Sequence, residues 1–188
     1  MDLRIVLLAV SLAWIISEIV LARFKHSESA SSDADKSSLR FLWTSIIVGI
    51  VCGILLSLSR VAAMSAGRYQ IAVSGIVLII VGLAVRWTAI LTLWKYFTVD
   101  VSIVGDHRLV TTGLYRFVRH PAYTGSLLSF LGLGLVFLNW LSLIVVVVPI
   151  TTAFVYRIKV EEEALVTFFG EQYLRYCART KRLIPGIY

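Results

Sequence analysis

Five stretches of the chain are apolar for nearly the length of a membrane-spanning helix, and no other property restricts its fold as strongly. A hydrocarbon core of about 30 Å takes roughly 20 helical residues to cross. Runs of that order occupy residues 3–22, 41–59, 71–93, 122–138 and 140–156. A chain that is 59% hydrophobic and 15% charged does not have the balance of a soluble domain. Inside a bilayer each span must satisfy its own backbone N–H and C=O groups, and runs this long do so as helices. The sequence therefore predicts an all-α, polytopic integral membrane protein of about five spans. It reads as one membrane-embedded unit (1–188), with no internal repeat or separate soluble domain. The last two runs meet at Asn139 and Trp140 and predict a tight antiparallel hairpin. The first run is long, is interrupted by Glu18 and lacks a small-residue cleavage site, so it is not read as a secretory signal.

The positive-inside rule turns the distribution of Lys and Arg into an orientation. With the N-terminus outside, fourteen of the 18 basic residues fall on the cytoplasmic side. They include Arg23 and Arg40 around the first inner loop, Arg108, Arg116 and Arg119 before the fourth span, and all six after Tyr156. Arg4, Arg60 and Arg68 fall outside, and Arg86 lies within the third span. Orientation and anionic head groups account for the net charge of +7, so no nucleic-acid partner is implied. The segment "KHSESASSDADKSS" lacks an apolar period and reads as a flexible inner loop. Cys52 and Cys177 suggest neither a disulfide framework nor a metal cluster.

Two inner-face segments are patterned beyond the needs of a connector. In the first, "VDVSIVGDHRLVTTGLYRFVRHPAYTG", Gly105 and Gly113 make turns and Pro121 suits the first turn of the fourth span, where a missing N–H costs least. His120 and Tyr123 then project from that helix start. The second segment continues the fifth span into an amphipathic helix, with Val160, Ala164, Leu165, Phe168 and Phe169 on one face and a break at Gly170. Glu161, Glu162 and Glu163 lie near its beginning, where carboxylates suit a helix start, and at most two of them can face one pocket. Plainer readings compete with these. Arg116 and Arg119 suit inner-face anchors, and Tyr115 and Tyr123 suit an interfacial belt. The glutamate run suits a solvated face. Gly125, Gly132 and Gly134 suit close helix packing. No G-x-G-x-x-G follows a strand, which excludes a Rossmann cofactor domain. Arg86 is a functional candidate because of its depth in a span, against a rival reading in which it snorkels to the interface. The sequence gives Glu18 no role.

The stretch "LVTTGLYRFVRHPAYTG", an apolar hairpin, and "RIKVEEEALVTFFGEQYLRYCARTKRLIP" together resemble the isoprenylcysteine carboxyl methyltransferases over about residues 82–185, with residues 1–70 as variable N-terminal spans. The resemblance implies a membrane enzyme that uses S-adenosyl-L-methionine, held at the cytosolic face between the loop before the fourth span and a C-terminal helix. Carried over by position, the cofactor pocket comprises His107, Arg108, Leu109 and Val110, then Tyr115, then His120, Pro121, Ala122 and Tyr123, closed by Glu161. Asp100 stands where better-known members carry glutamine. Arg157 corresponds to the arginine that holds the substrate carboxylate, and Arg86 to a second arginine on a membrane helix. The implied reaction is carboxyl O-methylation of an isoprenylcysteine-like or other lipophilic acid that arrives from the bilayer among the membrane lipids. The alternatives are a phospholipid N-methyltransferase, a small-thiol S-methyltransferase and a non-enzymatic membrane transport or structural protein.

Overall fold

The computed structural model describes residues 3–24, 33–59, 61–94 and 108–188. They form α1 (Leu3–Phe24), α2 (Asp33–Leu58), α3 (Arg68–Leu93), α4 (Pro121–Val136), α5 (Trp140–Phe169) and α6 (Glu171–Arg179), with a short 3-10 turn at Gly113–Arg116. Three helices are long and apolar enough to cross a membrane: Asp35–Leu58, Arg68–Leu93 and Trp140–Phe169. Two shorter apolar helices, Ile5–Leu21 and Pro121–Val136, accompany them. Exposed apolar side chains such as Leu8, Ile47, Leu55 and Val148 are what a lipid-facing surface requires.

Glycines allow α3 and α4 to pack with their backbones nearly touching. A Cβ placed on Gly125 would stand 2.5 Å from the Gly82 carbonyl oxygen, and one on Gly75 would stand 2.7 Å from that of Gly132. Gly125 and Gly132 are thus packing positions, as expected for membrane helices that meet through small residues. Ser129 fits the same seam, donating to the Ile79 carbonyl at 3.3 Å. This crossing fixes Arg86 of α3 against the first turns of α4.

The expected hairpin is present, with α4 ending at Val136 and α5 starting at Trp140. Asn139 caps α5 by accepting from the Ser142 N–H at 3.1 Å, while its amide donates to the carbonyls of Leu56 at 3.1 Å and Val61 at 2.7 Å. It therefore ties the α4–α5 turn to the end of α2. Trp140 N–H donates to Ala62 and Met64 N–H to Leu138, so the 61–67 connection and the hairpin turn share one end of the bundle. The start of α2, residues 108–120, the end of α5 and the C-terminal tail share the other.

Two boundaries differ from expectation. First, α2 begins at Asp33 rather than near 41, so residues 33–38 of the supposed loop are helical. Asp35 and Ser38 are fully buried against Arg157 of α5, and this tertiary contact fixes a segment whose local sequence is polar. Second, α5 runs unbroken through its 30 residues, so the three glutamates lie within a helix rather than at its start. Nothing between Tyr156 and Phe169 interrupts the i→i−4 ladder. The break comes at Gly170, with φ 52°, and α6 follows directly.

Candidate active site

The loop before α4 and the C-terminal tail are joined by main-chain and side-chain hydrogen bonds. Gly113, at φ 61°, starts the 3-10 turn that buries Tyr115. Arg119 N–H donates to the Lys181 carbonyl at 2.8 Å and His120 N–H to that of Arg182 at 3.0 Å. The Thr124 hydroxyl donates to Leu183 at 2.8 Å, and the Tyr176 hydroxyl of α6 to Tyr115 at 2.6 Å. The Arg119 guanidinium donates to the carbonyls of Cys177 and Thr180.

Glu162 joins these pieces from α5. One of its oxygens accepts from Arg119 Nε at 2.8 Å and lies 3.3 Å from His120 Nε2. The other accepts from Arg182 Nε at 2.8 Å. One residue earlier, Glu161 turns toward open space, accepting from the Tyr123 hydroxyl at 2.8 Å and standing 3.7 Å from His120 Nδ1. His120 and Tyr123 stack with centroids 5.6 Å apart. Pro121 occupies the first turn of α4, as expected, with His120 as its N-cap.

Above this floor lies a cavity of about 910 Å³. Its polar end is lined by Arg108, His120, Tyr123, Glu161, Arg86 and Arg157, with Leu109, Val110, Tyr115 and Ala122 on its apolar flank. An apolar arm continues between α1 and α2, past Trp14, Ile46, Ile50 and Ile54. Of the expected cofactor-site residues that are described, eight line this cavity, and Pro121 is buried at the start of α4. His107 and Asp100 lie outside the described residues.

The two cavity arginines, Arg157 buried and Arg86 partly so, are held by partners that the sequence alone did not identify. Arg157 donates to the carboxylate of Asp35, to its backbone carbonyl at 3.1 Å and to the Ser38 hydroxyl at 2.7 Å. Arg86 donates to the Ser126 hydroxyl at 2.7 Å and to Glu18 at 2.8 Å, and its Nε lies 2.8 Å from the second Glu18 oxygen. Arg86 is thus held between α1 and α4, with 13% of its side chain exposed. The available signal was general: a cation at membrane depth requires a nearby anion.

Outside the spans, desolvation by burial raises the pKa of Tyr115 well above the usual phenol range, with the Glu161 carboxylate adding to the effect. Burial likewise raises Tyr173, and pushes Tyr176 to about 12. These phenols are neutral at physiological pH, so Tyr115 offers the cavity an uncharged aromatic face.

Residues 75–167 match the Isoprenylcysteine carboxyl methyltransferase (ICMT) family. The chain is 30% identical over 192 residues to the protein-S-isoprenylcysteine O-methyltransferase of Saccharomyces cerevisiae, covering 99% of this chain and 80% of the yeast protein. It is 38% identical over 115 residues to protein-S-isoprenylcysteine O-methyltransferase B of Arabidopsis thaliana, covering 60% of this chain and 58% of the plant protein. The solved structure of the eukaryotic intramembrane Ras methyltransferase ICMT superposes with a TM-score of 0.66 at 31% identity, over 77% of this chain and 52% of that one. A match over nearly the whole of this chain and four-fifths of the yeast protein, together with the shared helical arrangement, shows that this chain belongs to the isoprenylcysteine carboxyl methyltransferase family.

Proposed function

We propose that the chain is a membrane-embedded methyltransferase that uses S-adenosyl-L-methionine to esterify the carboxylate of a lipophilic acid of the isoprenylcysteine type. The observation that carries this reading is the two-part cavity, in which one continuous space joins a polar, tail-closed end to an apolar arm between α1 and α2. A water-soluble methyl donor and an acceptor with a long hydrocarbon tail can meet in such a space without either leaving its own solvent.

The polar end fits the donor. Glu161 keeps 29% of its side chain exposed beyond its bond from Tyr123, leaving acceptor capacity for a ribose diol or an ammonium. Leu109, Val110 and Tyr115 offer apolar surface to an adenine ring, and His120 stands beside Glu161 at the start of α4. When bound, the donor supplies an electrophilic methyl group on a sulfonium. The protein's contribution is positioning: an ionised acid needs no general base, and alignment in a dry site can lower the barrier by several kcal/mol, up to about 7–11 in ideal intramolecular cases. Arg86 orients the acceptor carboxylate. Arg157, its charge matched by Asp35, is fixed at the cavity wall by Asp35 and Ser38.

Arg86 at the cavity wall, whose partner Glu18 stays partly exposed, suits an anionic acceptor better than an amine, which would have to be deprotonated before reacting. In this reading the two shorter apolar helices join the three long ones in spanning the membrane, with the N-terminus outside and the polar end and tail at the cytoplasmic face, an orientation that the distribution of basic residues supports. Purified protein assayed with labelled methyl donor should transfer label to an S-prenylated cysteine acid and not to phosphatidylethanolamine. Label on the phospholipid alone would replace this reading with N-methylation.

A further inference from the structure

Both cavity arginines already hold a carboxylate of the chain, but the two pairs are built differently. Arg157 is 1% exposed and Asp35 0%, and three acceptors from α2 converge on one guanidinium. That pair is a fixed tie between α2 and α5. The Arg86 pair is open: Glu18 presents both oxygens to the guanidinium fork at 2.8 Å while 26% of its side chain stays exposed on the cavity wall. Glu18 belongs to α1, which packs chiefly on α3 and leaves Leu8, Leu12 and Ile15 more than half exposed. Arg86 also has an anchor independent of α1, the Ser126 hydroxyl at 2.7 Å. If Glu18 left, Arg86 would remain in place.

We propose that Glu18 is a resident counter-carboxylate that the acceptor's carboxylate displaces from Arg86, and that it recaptures Arg86 once the acceptor has become an ester. This rests on the carboxyl-methylation reading above. A guanidinium at membrane depth requires an anion, and its donors take any carboxylate that reaches them. Glu18 and an acidic acceptor therefore compete for one seat. Glu18 lies six residues before Phe24, the last residue of α1, which is about 9 Å along the helix, so the displaced carboxylate is close to the interface.

Methyl transfer then changes the outcome of that competition. A bond forms between methyl carbon and acceptor oxygen, and the carbon–sulfur bond breaks with its electron pair remaining on sulfur. The acceptor's negative charge and the donor's positive charge vanish together. The neutral ester cannot balance Arg86, so Glu18 returns and the product head group is released. Glu18 is thus a positioning residue that sets acid-over-ester selectivity.

Binding of an S-prenylated cysteine acid and of its methyl ester, measured by calorimetry on the detergent-purified protein, tests the exchange. Glu18→Gln should bind the acid about tenfold more tightly, since a neutral amide competes poorly for a guanidinium, with ester affinity unchanged. Its turnover should show a pre-steady-state burst of ester followed by slow release. Ser126→Ala, which removes the independent anchor, should weaken acid binding severalfold and leave the ester unaffected. An acid-to-ester affinity ratio equal to wild type in both variants overturns the exchange. If wild-type protein binds neither ligand, the carboxyl-methylation reading itself fails and the proposal falls with it, an outcome visible before any variant is made.

Discussion

Glu161, Glu162 and Glu163 are chemically alike and adjacent, yet the helix turns them toward three environments. Glu161 faces the cavity, Glu162 binds Arg119, His120 and Arg182 beneath it, and Glu163 is exposed. Each should therefore fail differently. Glu161→Ala should weaken binding of S-adenosyl-L-methionine by about tenfold or more, the size of a lost charge-assisted hydrogen bond, with little change in melting temperature. Glu162→Ala should instead cost about 2–4 kcal/mol of stability, because it leaves partly buried cations without their anion. Glu163→Ala should stay within about 0.5 kcal/mol of wild type. Thermal melts and donor calorimetry on the three proteins separate these roles. The same reasoning applies to Arg157. Arg157→Ala should abolish turnover and also destabilise the fold by about 3–5 kcal/mol, since Asp35 stays buried without its cation. Adding Asp35→Asn should restore much of the stability and none of the activity.

At the scale of elements, two contacts set the geometry of the bundle. The α3–α4 crossing has no room for a side chain: Gly125→Leu would drive backbone against backbone beside Arg86 and should abolish folded protein, as judged by a monodisperse elution peak in detergent. Asn139→Ala, which loses one cap and two ties to the end of α2, should cost about 2–4 kcal/mol while leaving donor affinity intact. The packing glycines, the hairpin and the Pro121 helix start were legible because each follows from a local rule of sequence. The early start of α2 was not, since "DADKSS" is polar by composition and becomes helical through burial against an arginine far along the chain. The counter-ions of Arg86 and Arg157 were hidden for the same reason. Sequence marks a membrane-depth cation as needing an anion, but only the packing of α1 on α3 and α2 on α5 shows which anion serves.

For the whole molecule, one end of the bundle is tied by Asn139 and the other holds the polar cavity, with the apolar arm running between them along α1 and α2. Narrowing that arm should discriminate by tail length. Ile50→Trp, which adds bulk to the wall, should lower kcat/KM for a twenty-carbon acceptor severalfold more than for a ten-carbon one, because only the longer tail reaches that depth. Equal loss for both tails would place the acceptor elsewhere. The arm lies between apolar helices, so an acceptor that enters by it, as proposed, is met as a fraction of the surrounding lipid. Saturation should follow mole fraction in the bilayer rather than amount per litre, so adding empty vesicles that exchange acceptor should slow the reaction even though nothing has been removed from the tube.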